Sequence, residues 1–260
     1  MEKSGDLKQS PGADPDVVDF GFEKVSPSEK NRRVEGVFRS VAVRYDVMND
    51  LMSFGLHRLF KRMVIEMSSV RRGDRILDLA GGTGDLSALF TPIVGSQGQV
   101  ILSDINASMM DIGRDQLLNK GIIEVQYCQA NAERLPFDND SFNCITIGFG
   151  LRNITHKERA LSEMLRVLKP GGRLLVLEFS KPQTPIIDAA YSGFQALWPT
   201  IGKLITGDAS AYKYLIESIK VHPNQKALKQ MIGDAGFTSV SYHNLLDGIV
   251  AIHRAIKEPI

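Results

Sequence analysis

The chain has 260 residues, 43% of them hydrophobic and 23% charged, with a formal net charge of +1 at pH 7. That length and apolar content suit one large globular domain with a sizeable core. The near-neutral balance excludes a global field that would recruit nucleic acid or an anionic membrane.

Residues 1–26 are polar and rich in Pro, Gly, Ser and Asp, the composition of a disordered tail. No apolar run follows that would serve as a secretory signal or span a bilayer, so a cytoplasmic location is expected. Two helices are predicted between Asn31 and Val70, the second from the helical spacing of Leu56, Leu59, Phe60, Met63, Val64 and Met67. Arg58, Lys61, Arg62, Arg71 and Arg72 read as a solvated face, with contact to anionic lipid as the alternative, and His57 is given no role and placed at the surface. From Asp74 the rhythm changes to short apolar runs alternating with helical patterns. Strands are predicted at Arg75–Ala80, Gln99–Ile105, Glu124–Gln129, Ser141–Phe149 and Arg173–Phe179. Helices are predicted at Gly84–Val94, Ser108–Leu118 and Thr155–Leu168. The last of these carries a capping box at Thr155 and Glu158 and a stop at Lys169-Pro170-Gly171-Gly172. A pause over 181–220, rich in aromatic residues, reads as a helical lid insertion. Its aromatics either line an apolar channel or fill their own core. A helix near Asn224–Ala235 and strands at Ser239–Leu245 and Ile249–Ala255, joined by Leu246-Asp247-Gly248, close the chain. The fold class is therefore α/β: a Rossmann-like, doubly wound, mostly parallel sheet with a C-terminal antiparallel hairpin, one domain over 27–260 whose 27–70 is an N-terminal helical segment.

The run Asp78-Leu79-Ala80-Gly81-Gly82-Thr83-Gly84-Asp85 follows the first strand of this alternation and opens a helix, where glycines let backbone approach a ligand. A dinucleotide loop would carry a third glycine where this chain has Ser87, and carboxylates at Asp78 and Asp85 would repel a pyrophosphate. They suit a ligand with a cationic amino acid portion and a sulfonium, such as S-adenosylmethionine. Asp85 is equally readable as a helix N-terminal acid. Asp104 ends the next strand, where a carboxylate accepts both ribose hydroxyls or else caps the following helix. Asn131 follows the third strand, where its amide and the neighbouring backbone N–H suit adenine, and Leu135-Pro136-Phe137 would wall the ring. Neither the sparse cysteines, Cys128 and Cys144, nor the five scattered histidines suggest a metal site.

These motifs, with Tyr45–Phe54 (YDVMNDLMSF), Gly148–Asn153 (GFGLRN), Leu168–Leu174 (LKPGGRL) and Leu177–Pro182 (LEFSKP), resemble the ubiquinone/menaquinone biosynthesis C-methyltransferase family of the UbiE type. The resemblance covers the chain from about Val34 to its end. It implies S-adenosylmethionine-dependent methylation of a ring carbon of a prenylated benzoquinol or naphthoquinol, with cofactor contacts at Thr83, Asp104, Asn131 and Ala132. Asp78 and Gly82 join them from the glycine loop. A further family contact, usually a serine, falls on Gly148, where only backbone contact survives. On the acceptor side, Arg152 is read as a cation that stabilises phenolate charge, its alternative being an ion pair with Glu178 or Asp104. Asn153 would orient the hydroxyl, and Tyr45 and Asp46 would fold over the site, their alternative being helix packing and capping. Peripheral contact with the inner membrane, membership of a quinone-synthesis complex and a homodimer are left open. The competing readings are a non-catalytic cofactor-binding scaffold and an NAD-dependent oxidoreductase.

Overall fold

The computed structural model describes residues 17–41, 49–50, 53, 55–206 and 209–259. Tyr45 and Asp46 lie outside these residues.

The N-terminal hairpin pairs β1 (Val18–Phe20) with β2 (Glu23–Val25) and leads into α1 (Pro27–Val41). The expectation of a disordered tail over 1–26 thus fails at its C-terminal end. Local composition gives no warning, because the hairpin is held by a distant partner: the Phe20 ring stacks on Tyr214 at 4.4 Å between centroids. After α2 (His57–Ser68) the alternation unfolds as β3 (Arg75–Leu79), α3 (Asp85–Val94), β4 (Gln99–Asp104), α4 (Ala107–Asn119), β5 (Gln126–Gln129) and β6 (Phe142–Gly148). It continues with α5 (Lys157–Val167), β7 (Leu168–Phe179), α6 (Pro185–Gln195), α7 (Trp198–Thr206), α8 (Ala209–Val221), α9 (Gln225–Asp234), β8 (Thr238–Leu245) and β9 (Val250–Ile256).

Seven strands form one sheet in the order β5-β4-β3-β6-β7-β9-β8, parallel from β5 to β7 and antiparallel at the C-terminal hairpin. Successive residues of each central strand feed opposite faces. Ile76, Val100, Leu102, Leu175 and Leu177 pack into one core, and Leu77, Leu79, Ile101, Leu174 and Val176 into the other. This period of two with both faces apolar is why the strands read as continuous hydrophobic runs. The order reverses between β3 and β6, and in open α/β sheets the crevice for ligands lies at that switch, beyond the strands' carboxyl ends.

Three local expectations are corrected. Helix α5 begins at Lys157 without a side-chain cap, and the Thr155 hydroxyl instead donates to Asn31 Oδ1 at 2.9 Å, so no capping box forms. Lys169-Pro170-Gly171-Gly172 does end the helix, yet it lies inside β7. Proline biases the residue before it toward extended backbone, so a stop signal doubles as a strand start. His57 is buried rather than at the surface, its Nε2 2.9 Å from Asp50 Oδ1.

The described part of 181–220 holds the three helices α6, α7 and α8, and they extend the core. Trp198 and Tyr212 are fully buried in the cluster that holds Leu175, Leu177, Val250 and Ile252. Trp198 meets Tyr191 and Phe194 edge-on, at 6.1 and 5.7 Å. Those contacts match the core reading of Trp198 and not the channel reading.

Candidate active site

Between β3 and α3 the backbone makes a turn that few residues accept. Ala80, Gly82 and Gly84 all have positive φ (52°, 52° and 81°). A side chain on Gly84 would also strike Leu117 Cδ1 at 2.9 Å, and one on Gly113 of α4 would strike the carbonyl of Gly82 at 2.5 Å. The small residues therefore let α4 press against the loop from one side and leave loop backbone facing the crevice on the other.

Asp104, at the end of β4, ties this loop to the next. Its Oδ2 accepts the Gly82 N–H at 3.0 Å and its Oδ1 the Asn106 N–H at 2.9 Å. It does not cap α4; Asn106 does, accepting the Met109 N–H at 3.2 Å. Burial pushes the Asp104 carboxyl above the usual carboxylate range, against its backbone hydrogen bonds. A carboxylate offers about four acceptor positions, so two oxygens with one intramolecular bond each retain capacity for a ligand's hydroxyls.

Gly82, Asp104, Asn131, Ala132 and Asn153 all line one pocket of about 290 Å³, opposite Asn31, Val34 and Phe38 of α1. Asn131 spends its Oδ1 on the Glu133 N–H at 2.9 Å, making a tight turn that leaves its amide nitrogen for a partner. The expected wall of Leu135 and Phe137 is not there. Leu135 is buried in the core beneath the sheet and Phe137 packs edge-on against Phe142. Ile105 and Met109 provide the apolar surface instead.

A narrower recess shares Ala80 with this pocket and collects Asp78, Thr83, Asp85, Gly148 and Lys61. Asp78 is buried, with Oδ2 accepting the Ser87 N–H and hydroxyl at 3.0 and 2.7 Å and Oδ1 the Thr146 hydroxyl at 3.3 Å. Burial pushes its carboxyl up to about 6 in spite of these bonds. Asp85 stands at the first position of α3, and its Oδ2 meets Lys61 Nζ at 2.6 Å. Burial opposes its ionisation, but the Lys61 ammonium outweighs this and holds the carboxyl below its ordinary value. Lys61 is thus a buried site residue and not part of a solvated face. Its signal in the sequence was its place on the apolar stripe of α2, between Phe60 and Val64. At Gly148 a Cβ would approach the end of the Leu86 side chain, Cδ1, to 3.1 Å, a tight contact that a small shift of that side chain would relieve.

Arg152 and Asn153, adjacent in one 3-10 turn after β6, part company. Arg152 does not line the main pocket. Its side chain is 1% exposed, with Nη1 2.7 Å from Glu178 Oε1 and donating also to the Phe149 carbonyl, and with its guanidinium over the Phe179 ring. The expectation of a free cation beside the acceptor is corrected to the alternative, a buried ion pair with Glu178. Asn153 does reach the pocket, and its Oδ1 accepts the Tyr214 hydroxyl at 3.0 Å. Tyr214, from the insertion, was not singled out in the sequence as a site residue, because nothing local connects α8 with the turn after β6. Among the described residues no group of three His, Cys, Asp or Glu could hold a metal ion.

Three comparisons bear on this geometry. Residues 26–257 match the model of the ubiE/COQ5 methyltransferase family. The ubiquinone/menaquinone biosynthesis C-methyltransferase UbiE of Pseudomonas paraeruginosa (strain DSM 24068 / PA7) is 55% identical over 97% of this chain and 99% of its own. The protein of the same name from Francisella tularensis subsp. novicida (strain U112) is 59% identical over 93% of this chain and 97% of its own. Among solved structures, a SAM-dependent methyltransferase from Aquifex aeolicus superposes with a TM-score of 0.59 at 15% identity, covering 90% of this chain and 99% of that one, a likeness of fold.

Proposed function

We propose, from the premise that this chain belongs to the ubiE/COQ5 methyltransferase family, how its pocket serves the S-adenosylmethionine-dependent methylation of a quinol ring carbon in ubiquinone/menaquinone biosynthesis. The observation that carries the proposal is Asp104, bonded to the Gly82 N–H and facing the pocket that Asn131, Ala132 and Asn153 share. The residues fit the cofactor. The small residues at Gly84 of the loop and Gly113 of α4 keep loop backbone toward the crevice, Asp104 keeps lone pairs, and about 290 Å³ is near the lower end of the roughly 300–1,000 Å³ of small-molecule sites.

When bound, S-adenosylmethionine supplies an electrophilic methyl group on a sulfonium with a neutral leaving group. Asp104 would hold the ribose hydroxyls, and Asn131 with the backbone of Ala132 the adenine edge. Thr83, Asp78 and the Gly148 backbone enclose the amino acid end, where the Lys61–Asp85 pair offers both charges. A ring carbon is a poor nucleophile until a hydroxyl on the same ring ionises, from an ordinary phenol pKa of about 10. Asn153, fixed by Tyr214, would orient that hydroxyl. Arg152, neutralised by Glu178, acts as a positioning residue for the turn that presents Asn153. Alignment of donor and acceptor is the main contribution asked of the protein, on the order of 7–11 kcal/mol in favourable cases.

The test is direct. Purified protein with methyl-labelled donor and either a demethylated benzoquinol or a demethylated naphthoquinol should give ring-methylated product with at least one of them. Donor binding without transfer to either quinol would overturn the proposal in favour of a cofactor-binding scaffold.

A further inference from the structure

Past Arg152 and Thr155 lies a second cavity, of about 320 Å³, which the cofactor site does not use. Its walls come from β1, α1, the first turn of α5, α8, His222 and Pro223 after it, and Met231 of α9. Two ammonium groups meet there: the buried Lys30 and the half-buried Lys157 donate through Nζ to the same carbonyl, that of Ile154, at 3.3 and 3.1 Å. One carbonyl takes one donor from each, and each ammonium has three. His222 is 3% exposed, and both its ring nitrogens lack a hydrogen-bond partner, as does the buried Nε of Arg152. Lys157 is also the first residue of α5, where unpaired N–H groups and the helix dipole add positive potential. The acids of the lining are Asp19, already 2.7 Å from Lys24, and Glu158.

Donors with unspent capacity therefore outnumber the acceptors offered to them. Burial, reinforced by the neighbouring Lys157, lowers Lys30 to about 8, and burial lowers Lys157 and His222 as well. A ligand bringing negatively charged oxygen would satisfy all three. We propose that this cavity binds a small oxyanion through Lys30, Lys157 and His222. That chemistry has two sources, an ionised ring oxygen of the acceptor or a free inorganic oxyanion. The inference does not depend on methyl transfer, because anion binding is measured on its own.

The probe is inorganic phosphate, titrated into the full chain at constant ionic strength and followed by calorimetry. Saturable binding is expected. Lys157→Gln and His222→Gln, each checked for folding by circular dichroism, should weaken it about tenfold or more, the usual cost of losing a charge-assisted bond. Lys226→Gln, on the exposed side of α9, should leave it unchanged. In wild-type protein the His222 ring resonances should shift with the same half-saturation, which settles the matter even if both variants fail to fold. No saturable phosphate binding, unmoved His222 resonances, or undiminished affinity in the folded variants would overturn the proposal. If phosphate competes with the quinol in the transfer assay, the natural occupant is the acceptor's oxygen; if it binds without competing, the occupant is a free anion.

Discussion

The donor wall of the pocket comes from the carboxyl ends of three successive strands: Gly82 in the turn after β3, Asp104 at the end of β4 and Asn131 in the connection from β5 to β6. The facing wall draws on α1, the turn after β6, and α8 through the Tyr214–Asn153 hydrogen bond, segments far apart in the chain. On the donor wall Asp104 and Asn131 are fixed by backbone N–H groups, Asp104 by those of Gly82 and Asn106 and Asn131 by that of Glu133. On the acceptor wall the groups are fixed by side chains from elsewhere, Asn153 by Tyr214 and Thr155 by Asn31, and behind that wall Arg152 is held by Glu178. A wall made locally is rigid by construction. A wall made by convergence depends on every partner.

The largest effect should come from the acceptor side. Glu178→Gln leaves the Arg152 guanidinium buried without its counter-ion, a change that typically costs about 3–5 kcal/mol. Thermal denaturation should show this, with donor affinity per folded molecule little altered. The double variant Arg152→Met/Glu178→Leu should regain most of the stability and not the turnover. A single variant as stable as wild type would remove the ion pair from the account of this wall.

Next in size is Asp78. Burial pushes its folded pKa up to about 6, above the ordinary carboxylate value of 3.8. The carboxyl is therefore favoured in its protonated form by folding, a contribution present below about pH 4 and lost as pH rises through about 6. Two pH units correspond to about 3 kcal/mol. Asp78→Asn should flatten the stability profile between pH 4 and 6, and an unchanged slope would contradict the raised pKa.

The smallest effect tests the donor wall. Asp104→Ala should weaken S-adenosylmethionine binding by about 1–3 kcal/mol in calorimetry. Unchanged affinity in the folded variant would place the ribose elsewhere.

The same division explains what the sequence alone discloses. The alternation of strands and helices, the C-terminal hairpin, the glycine turn and the places of Asp104 and Asn131 at strand ends are legible because their partners are neighbours in the chain or are backbone, and because alternation of β and α leaves a period that can be counted. Lys61 hides as one charge among several on α2 until its ion pair with Asp85 is seen. The β1–β2 hairpin hides because its stabilising ring contact lies on α8. Arg152 exposes the limit most clearly. Its place after β6 was readable, but whether its charge was free or spent depended on Glu178 at the far end of β7, and spacing does not decide between them.

The stack of Phe20 on Tyr214, whose hydroxyl reaches Asn153, has a consequence for the order in which the molecule is completed. During synthesis, the glycine turn, Asp104 and Asn131 are all available while β8, β9 and α8 are still unmade. The hairpin that emerges first must wait for nearly the whole chain before its ring finds a partner. Contacts of such long sequence separation form late, because the loop they close is entropically costly. A nascent chain would thus acquire its cofactor cradle early and its acceptor wall last, so competence to hold the donor precedes competence to use it.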